Sequence, residues 1–90
     1  MNQEAEQLLM EFPCTFPLKV MGLNKDNYPA FVLATAQKHI MGLDQSCLKT
    51  RLSKSEKYVA VTITFLAHSK QQIDNIYLEL HANKRTKMAI

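Results

Sequence analysis

Apolar and polar residues alternate most regularly between Lys57 and His68. Val59, Val61, Ile63 and Phe65 fall on one side, and Tyr58, Ala60, Thr62 and Thr64 on the other. This is the period-2 signature of a strand with one side against a core. A strand this long and this apolar needs partners to cover that side, so the rest of the chain is read around it.

Upstream, Phe16, Leu18 and Val20 alternate with Pro17, Lys19 and Met21, which predicts a first strand over about 16–21. Pro17 lacks a donor and belongs at the start of the strand or where no N–H is needed. After the polar connection 22–27, either Asn27 or Asp26 suits an N-cap and Pro29 the first turn of a helix. Tyr28, Phe31, Val32, Thr35 and either Ala36 or His39 recur at helical spacing. Lys38 and His39 suit the last turn and Gly42 the stop, giving a helix over about 28–41.

Leu48, Thr50 and Leu52 then alternate with Cys47, Lys49 and Arg51, a second strand whose cations suit a sheet edge. The polar run 53–57 is short enough for a hairpin into the long strand. Ser69 and Gln72 have capping-box spacing, and Ile73, Ile76, Tyr77 and Leu80 form the apolar stripe of a helix over about 70–82. Residues 86–90 read as a closing strand. Residues 1–11 read as one or two helical turns or a loose tail, leaving a single domain over 12–90.

The order β-α-β-β-α-β, with right-handed crossovers, gives an α+β, ferredoxin-like sandwich. Its antiparallel sheet has the strand order 4-1-3-2, both helices lie on one side, and the long strand is central beside the first.

Composition narrows the function classes. Ninety residues, 47% of them apolar and only two glycine, fit one ordered core. No run approaches a membrane span, and the acidic start lacks the features of a signal peptide, so a cytoplasmic protein is expected. The net charge of +3 is uneven: from Phe12 onward eleven Lys and Arg face five acids. Such a basic body suits anionic partners.

Candidate chemistry is sparse. Cys14 and Cys47 would lie on either side of the central strand, about 10 Å apart and beyond disulfide reach. Neither has a CxxC neighbour or a His at ligand spacing, so no metal and no cofactor are expected. His39, His68 and His81 fall at element ends without the third group that nucleophilic catalysis requires, and two glycines cannot build a phosphate loop. No catalytic residue is nominated, and an enzyme is not expected.

The informative feature is the uncovered side of the sheet. There the alternation places Lys19, Lys49, Arg51 and Lys87, with Thr62 and Thr64 between them and no acid. This is the candidate surface for a small anionic ligand or a protein partner, and a homodimer is a further expectation. Nucleic acid held through phosphates is the alternative. It is disfavoured because stacking needs aromatic rings on the central strands, where only Tyr58 stands, at the margin.

The string Phe12-Pro13-Cys14-Thr15-Phe16-Pro17-Leu18-Lys19-Val20-Met21-Gly22 resembles the opening of the YbeD-like family of small bacterial proteins. Arg51-Leu52-Ser53, Lys57-Tyr58 leading into Val61-Thr62-Ile63-Thr64, Ile76-Tyr77-Leu78-Glu79-Leu80 and Lys87-Met88 extend the resemblance to almost the whole chain. Two positions depart from the family pattern: Glu56 stands where the hairpin usually carries Gly, and Ala60 where Ser is common. The resemblance implies a ferredoxin-like fold similar to the ACT regulatory domains that bind small effectors. It carries over no catalytic residue.

Overall fold

A computed structural model describes residues 11–89. The tail or short helix expected over 1–11 lies outside them, apart from Glu11. In chain order the elements are β1 (Cys14–Leu23), α1 (Tyr28–Gln37), a 3-10 turn (Gln45–Cys47), β2 (Leu48–Leu52), β3 (Tyr58–Ala67), α2 (Lys70–His81) and β4 (Thr86–Ala89). The sheet is antiparallel throughout and runs β2-β3-β1-β4, the expected 4-1-3-2 order read from the opposite edge.

β1 accompanies β3 along its full length, from Cys14 opposite Ala67 to Leu23 opposite Tyr58. Alternation then sorts the side chains. Leu18 and Val20 of β1 and Val59, Val61, Ile63 and Phe65 of β3 are buried. They join one core with Val32 and Ala36 of α1 and Ile73, Ile76 and Leu80 of α2. Phe31 and Tyr77 are half-buried at its margin.

The local differences from the sequence reading have physical causes. β1 starts two residues earlier than predicted and holds Pro17 inside it. Val20 opposite Ala89 is the last described rung with β4. Leu23 donates towards β4, to the Arg85 carbonyl, so Pro17, six residues earlier, has its nitrogen on that same side, past that rung. No ladder donor is missing there.

α1 ends at Gln37 rather than 41, because the residues after it are drawn into tertiary contacts. Lys38 and His39 both bond the Glu79 carboxylate on α2, and the Gln72 amide donates to the His39 carbonyl at 3.0 Å. Asn27 is the N-cap, but it acts through its backbone carbonyl, which accepts from Ala30 and Phe31.

Cys47 belongs to the 3-10 turn and not to β2. Asp44 caps that turn by accepting from the Ser46 N–H at 2.8 Å. Ser69 caps α2 by accepting from Gln72 N–H, while the Gln72 side chain reaches back to His68 N–H, one residue before the position a capping box uses.

The β2–β3 hairpin keeps its tight turn without glycine. Glu56 has φ 61°, and its carbonyl accepts from the Asn24 side chain at 2.9 Å. A left-handed backbone costs an L-residue roughly 1–2 kcal/mol, part of which glycine would return as unfolded-chain entropy. Glu56→Gly is therefore expected to stabilise the domain by about 0.5–1 kcal/mol, read as a raised urea midpoint at unchanged slope. A lowered midpoint would show that the Glu56 side chain itself supports the turn.

A second tight place joins β1, α1 and β4. Gly22 is buried, and a Cβ there would run into the Tyr28 ring and come within 2.8 Å of the Arg85 carbonyl. The Tyr28 hydroxyl lies 2.7 Å from Thr86 Oγ1. Burial is the main cause that pushes the Tyr28 hydroxyl above its ordinary pKa. Arg85 donates to the carbonyls of Lys25 (3.0 Å) and Asp26 (2.8 Å) and lies over the Tyr28 and Phe31 rings.

Candidate ligand face of the sheet

With both helices on the Leu18–Val20 side, no described residue outside the strands covers the other side of the sheet. Its centre is Thr62. Lys49 of β2 and Lys19 of β1 both stand opposite it, so their backbones are separated by two strand spacings, about 10 Å. One row along, Arg51 stands opposite Ala60, Ala60 opposite Met21, and Met21 opposite Met88. Lysine and arginine side chains are long, whereas Ala60 and Thr62 are short. The result is a depression of about 270 Å³ walled by Lys19, Lys49 and Arg51, with Ala60 and Thr62 on its floor.

Four of the six residues named from the sequence are thus brought together: Lys19, Lys49, Arg51 and Thr62. Thr64 is not among them. It pairs with Pro17 one row beyond and lines a different cavity. Lys87 also stands apart, because β4 is irregular. The register jumps from Thr86 opposite Gly22 to Met88 opposite Met21, leaving Lys87 as the extra residue of a bulge.

No described strand carries an Asp or Glu. The ion pairs among the described residues are Lys38–Glu79, His39–Glu79 and Lys70–Asp74, so none involves a cation of this face. Like charges within about a Debye length of each other repel. An anion seated on Thr62 would relieve that repulsion and gain the hydroxyl as a donor.

Two residues of the face escaped the sequence reading. Met21 and Met88 lie side by side next to the depression, Met88 being 54% exposed. The alternation in β1 already put Met21 on this side. Nothing in the sequence, however, announces the bulge that brings Met88 opposite it.

A larger cavity, about 630 Å³, lies where β3 runs on past the first residue of β2. Its apolar wall includes Ile40, Leu43, Phe65 and Leu66. Its polar side is already engaged: Gln72 bonds the His39 carbonyl and the His68 N–H, and the His39 ring bonds the Glu79 carboxylate. Hydrogen bonds from His39 and Lys38 hold Glu79 below its ordinary pKa. Cys47 lines this cavity, Cys14 starts β1 opposite Ala67, and both thiols are free. Among the described residues no three His, Cys, Asp or Glu side chains cluster in a way that could hold a metal ion. No described helix is long and apolar enough to cross a membrane.

Fold and face together define a small α+β sandwich of ferredoxin-like layout with one cationic side that no described helix covers. The chain belongs to the family described as protein of unknown function (DUF493), whose model matches residues 7–90. It is 37% identical over 87 residues to a UPF0250 protein of Chromobacterium violaceum, covering 97% of this chain and 98% of that one. Against a UPF0250 protein of Neisseria gonorrhoeae it is 35% identical over 89 residues, covering 99% and 98%. These matches agree with the YbeD-like resemblance carried by Phe12 to Gly22.

Proposed function

We propose that this chain is a non-enzymatic regulatory or binding module of the cytoplasm that holds an anionic group on the uncovered side of its sheet. The single observation that supports the reading is the convergence of Lys19, Lys49 and Arg51 on one depression above Thr62, with no acid on any described strand. The group belongs to a small anionic ligand or to an acidic protein surface. A nucleic-acid backbone would use the same cations. The central rows offer it Ala60, Thr62 and Met21 in place of the aromatic rings that stack bases.

The test is an NMR titration with inorganic pyrophosphate at low salt. Amide shifts are expected to concentrate at Lys19, Lys49, Arg51, Ala60 and Thr62, and to weaken steeply as salt rises. Lys49→Glu with Arg51→Glu is expected to abolish them. Both residues are exposed on an edge strand, so the fold should survive with a change in stability within about 0.5 kcal/mol. Shifts scattered over all surface lysines, or unchanged by the double reversal, would remove the proposal.

A further inference from the structure

We infer that the anionic group is carried by an acidic amphipathic helix of a partner protein, seated across the uncovered side of the sheet. This rests on the reading of the cationic depression given above and names its occupant.

The first reason is size. The depression, at about 270 Å³, lies below the roughly 300–1,000 Å³ of small-molecule sites. Its walls are exposed lysine and arginine side chains, and ion contacts made in water contribute little each, about 0–1 kcal/mol. A small free anion would therefore be held weakly. Affinity has to come from surface next to the depression.

The second reason is the make-up of that neighbouring surface. The row beside Thr62 reads Arg51, Ala60, Met21, Met88 across the four strands, with Lys87 bulged beside Met88. A cation, Arg51, therefore stands at the β2 end of an apolar run that ends at Met88. Leu23 and Tyr58, paired in the following row, extend that run. Four strands span about 14 Å, and a helix with its side chains is about 10–12 Å across. A helix laid along this direction would set its apolar stripe on Met21, Met88 and Ala60. Its carboxylates would reach Lys49 and Lys19 in the adjoining row and Arg51 at the β2 end. Methionine adapts its shape to such a stripe, and Met, Arg and Tyr are enriched in protein interfaces.

The third reason is charge complementarity, which also selects against other occupants. A second copy placed face to face would set Lys19, Lys49 and Arg51 against themselves. A nucleic acid would find the cations but would leave the methionines against phosphate and sugar.

The experiment measures fluorescence anisotropy with the whole chain and three probes of matched negative charge. These are an amphipathic helical peptide of about 18 residues with a leucine stripe between glutamate flanks, an oligoglutamate, and a single-stranded RNA. The amphipathic peptide is expected to bind at least tenfold tighter than the oligoglutamate. Met88→Ser is expected to weaken the peptide about tenfold and to leave the oligoglutamate unchanged. Met88 is more than half exposed, so this variant removes no core contact. Lys49→Glu with Arg51→Glu should weaken both acidic probes.

If oligoglutamate binds as tightly as the amphipathic peptide, or Met88→Ser has no effect, the helix inference is overturned while the anionic reading stands. RNA binding tighter than either peptide overturns it in favour of a nucleic-acid partner. If pyrophosphate and all three probes leave the face unoccupied, both readings go.

Discussion

Gly22→Ala is expected to lower the unfolding free energy by about 3 kcal/mol, the upper end of what overfilling a packed site costs. For a domain of this size that moves the thermal midpoint down by roughly 4–8 °C for each kcal/mol. The cause is steric. The added methyl would meet the Tyr28 ring from one direction and the Arg85 carbonyl, at 2.8 Å, from another. One obstacle is backbone and the other is a fully buried ring, so neither can swing aside as an exposed side chain would. The decisive measurement is a double-mutant cycle with Tyr28→Leu. That substitution alone is destabilising, because it empties part of the core and leaves Thr86 Oγ1 without its partner. If the ring is the obstacle, the double variant will be more stable than the two single losses added together predict. Strict additivity would show that Gly22 matters for some reason other than the fit of Tyr28. This close approach also gives physical content to the glycine that ends the Lys-Val-Met-Gly string.

Arg85→Ala has the second-largest expected effect, about 2–3 kcal/mol of lost stability, because its guanidinium holds a strained turn. Asp26 and Asn27 both have φ 52°; Asp and Asn tolerate a left-handed backbone better than other L-residues, and two in succession still store up to about 1 kcal/mol each. Arg85 meets that strain with charge-assisted hydrogen bonds to the Lys25 and Asp26 carbonyls, at 3.0 and 2.8 Å. Its guanidinium also lies 5.1 Å from the Phe31 ring centre and 5.6 Å from that of Tyr28, a contact worth about 0.5–1 kcal/mol where solvent reaches it. Both carbonyl bonds come from Nη1, while Nε donates to Asn83 Oδ1 at 3.2 Å and orients the plane. A lysine ammonium has no second nitrogen to be held this way, so Arg85→Lys should recover less than half of the loss. Asp26→Gly introduced beside Arg85→Ala should recover up to about 1 kcal/mol by relaxing one of the strained residues. Chemical denaturation of the three variants decides it. Full rescue by lysine would mean that charge alone, and not the oriented guanidinium plane, holds the turn.

Much of this architecture was legible because β3 is so regular. Its alternation from Tyr58 to Phe65 fixed which side meets the helices, and the partners came from the order of elements. The Ser69–Gln72 spacing located the start of α2 for the same reason: capping is a local matter that the sequence states directly. The features that could not be read depend on tertiary partners. α1 stops at Gln37 because Glu79 and Gln72, over thirty residues away, capture Lys38 and His39. The 3-10 turn takes Cys47 out of β2 through a two-residue Asp44–Ser46 contact that looks like any polar loop.

The candidate face shows the same division. Lys19, Lys49, Arg51 and Thr62 converge because strand parity and strand order, both readable, bring them together. Thr64 shares their parity yet belongs to another cavity, since β2 begins only opposite Ile63. Met88 reaches Met21 through a one-residue bulge, and a bulge leaves no pattern in four residues of strand.

Pro17 has a consequence for how the molecule behaves in a crowded solution. Among the described residues β4 ends at Ala89, opposite Val20, and no described strand pairs with that flank of β1 before it. A ring nitrogen at the middle of that stretch interrupts it as a template, since an incoming strand finds no hydrogen to accept there. The residue that the sequence places where no N–H is needed thus also blunts that stretch of β1 as a template for edge-to-edge pairing.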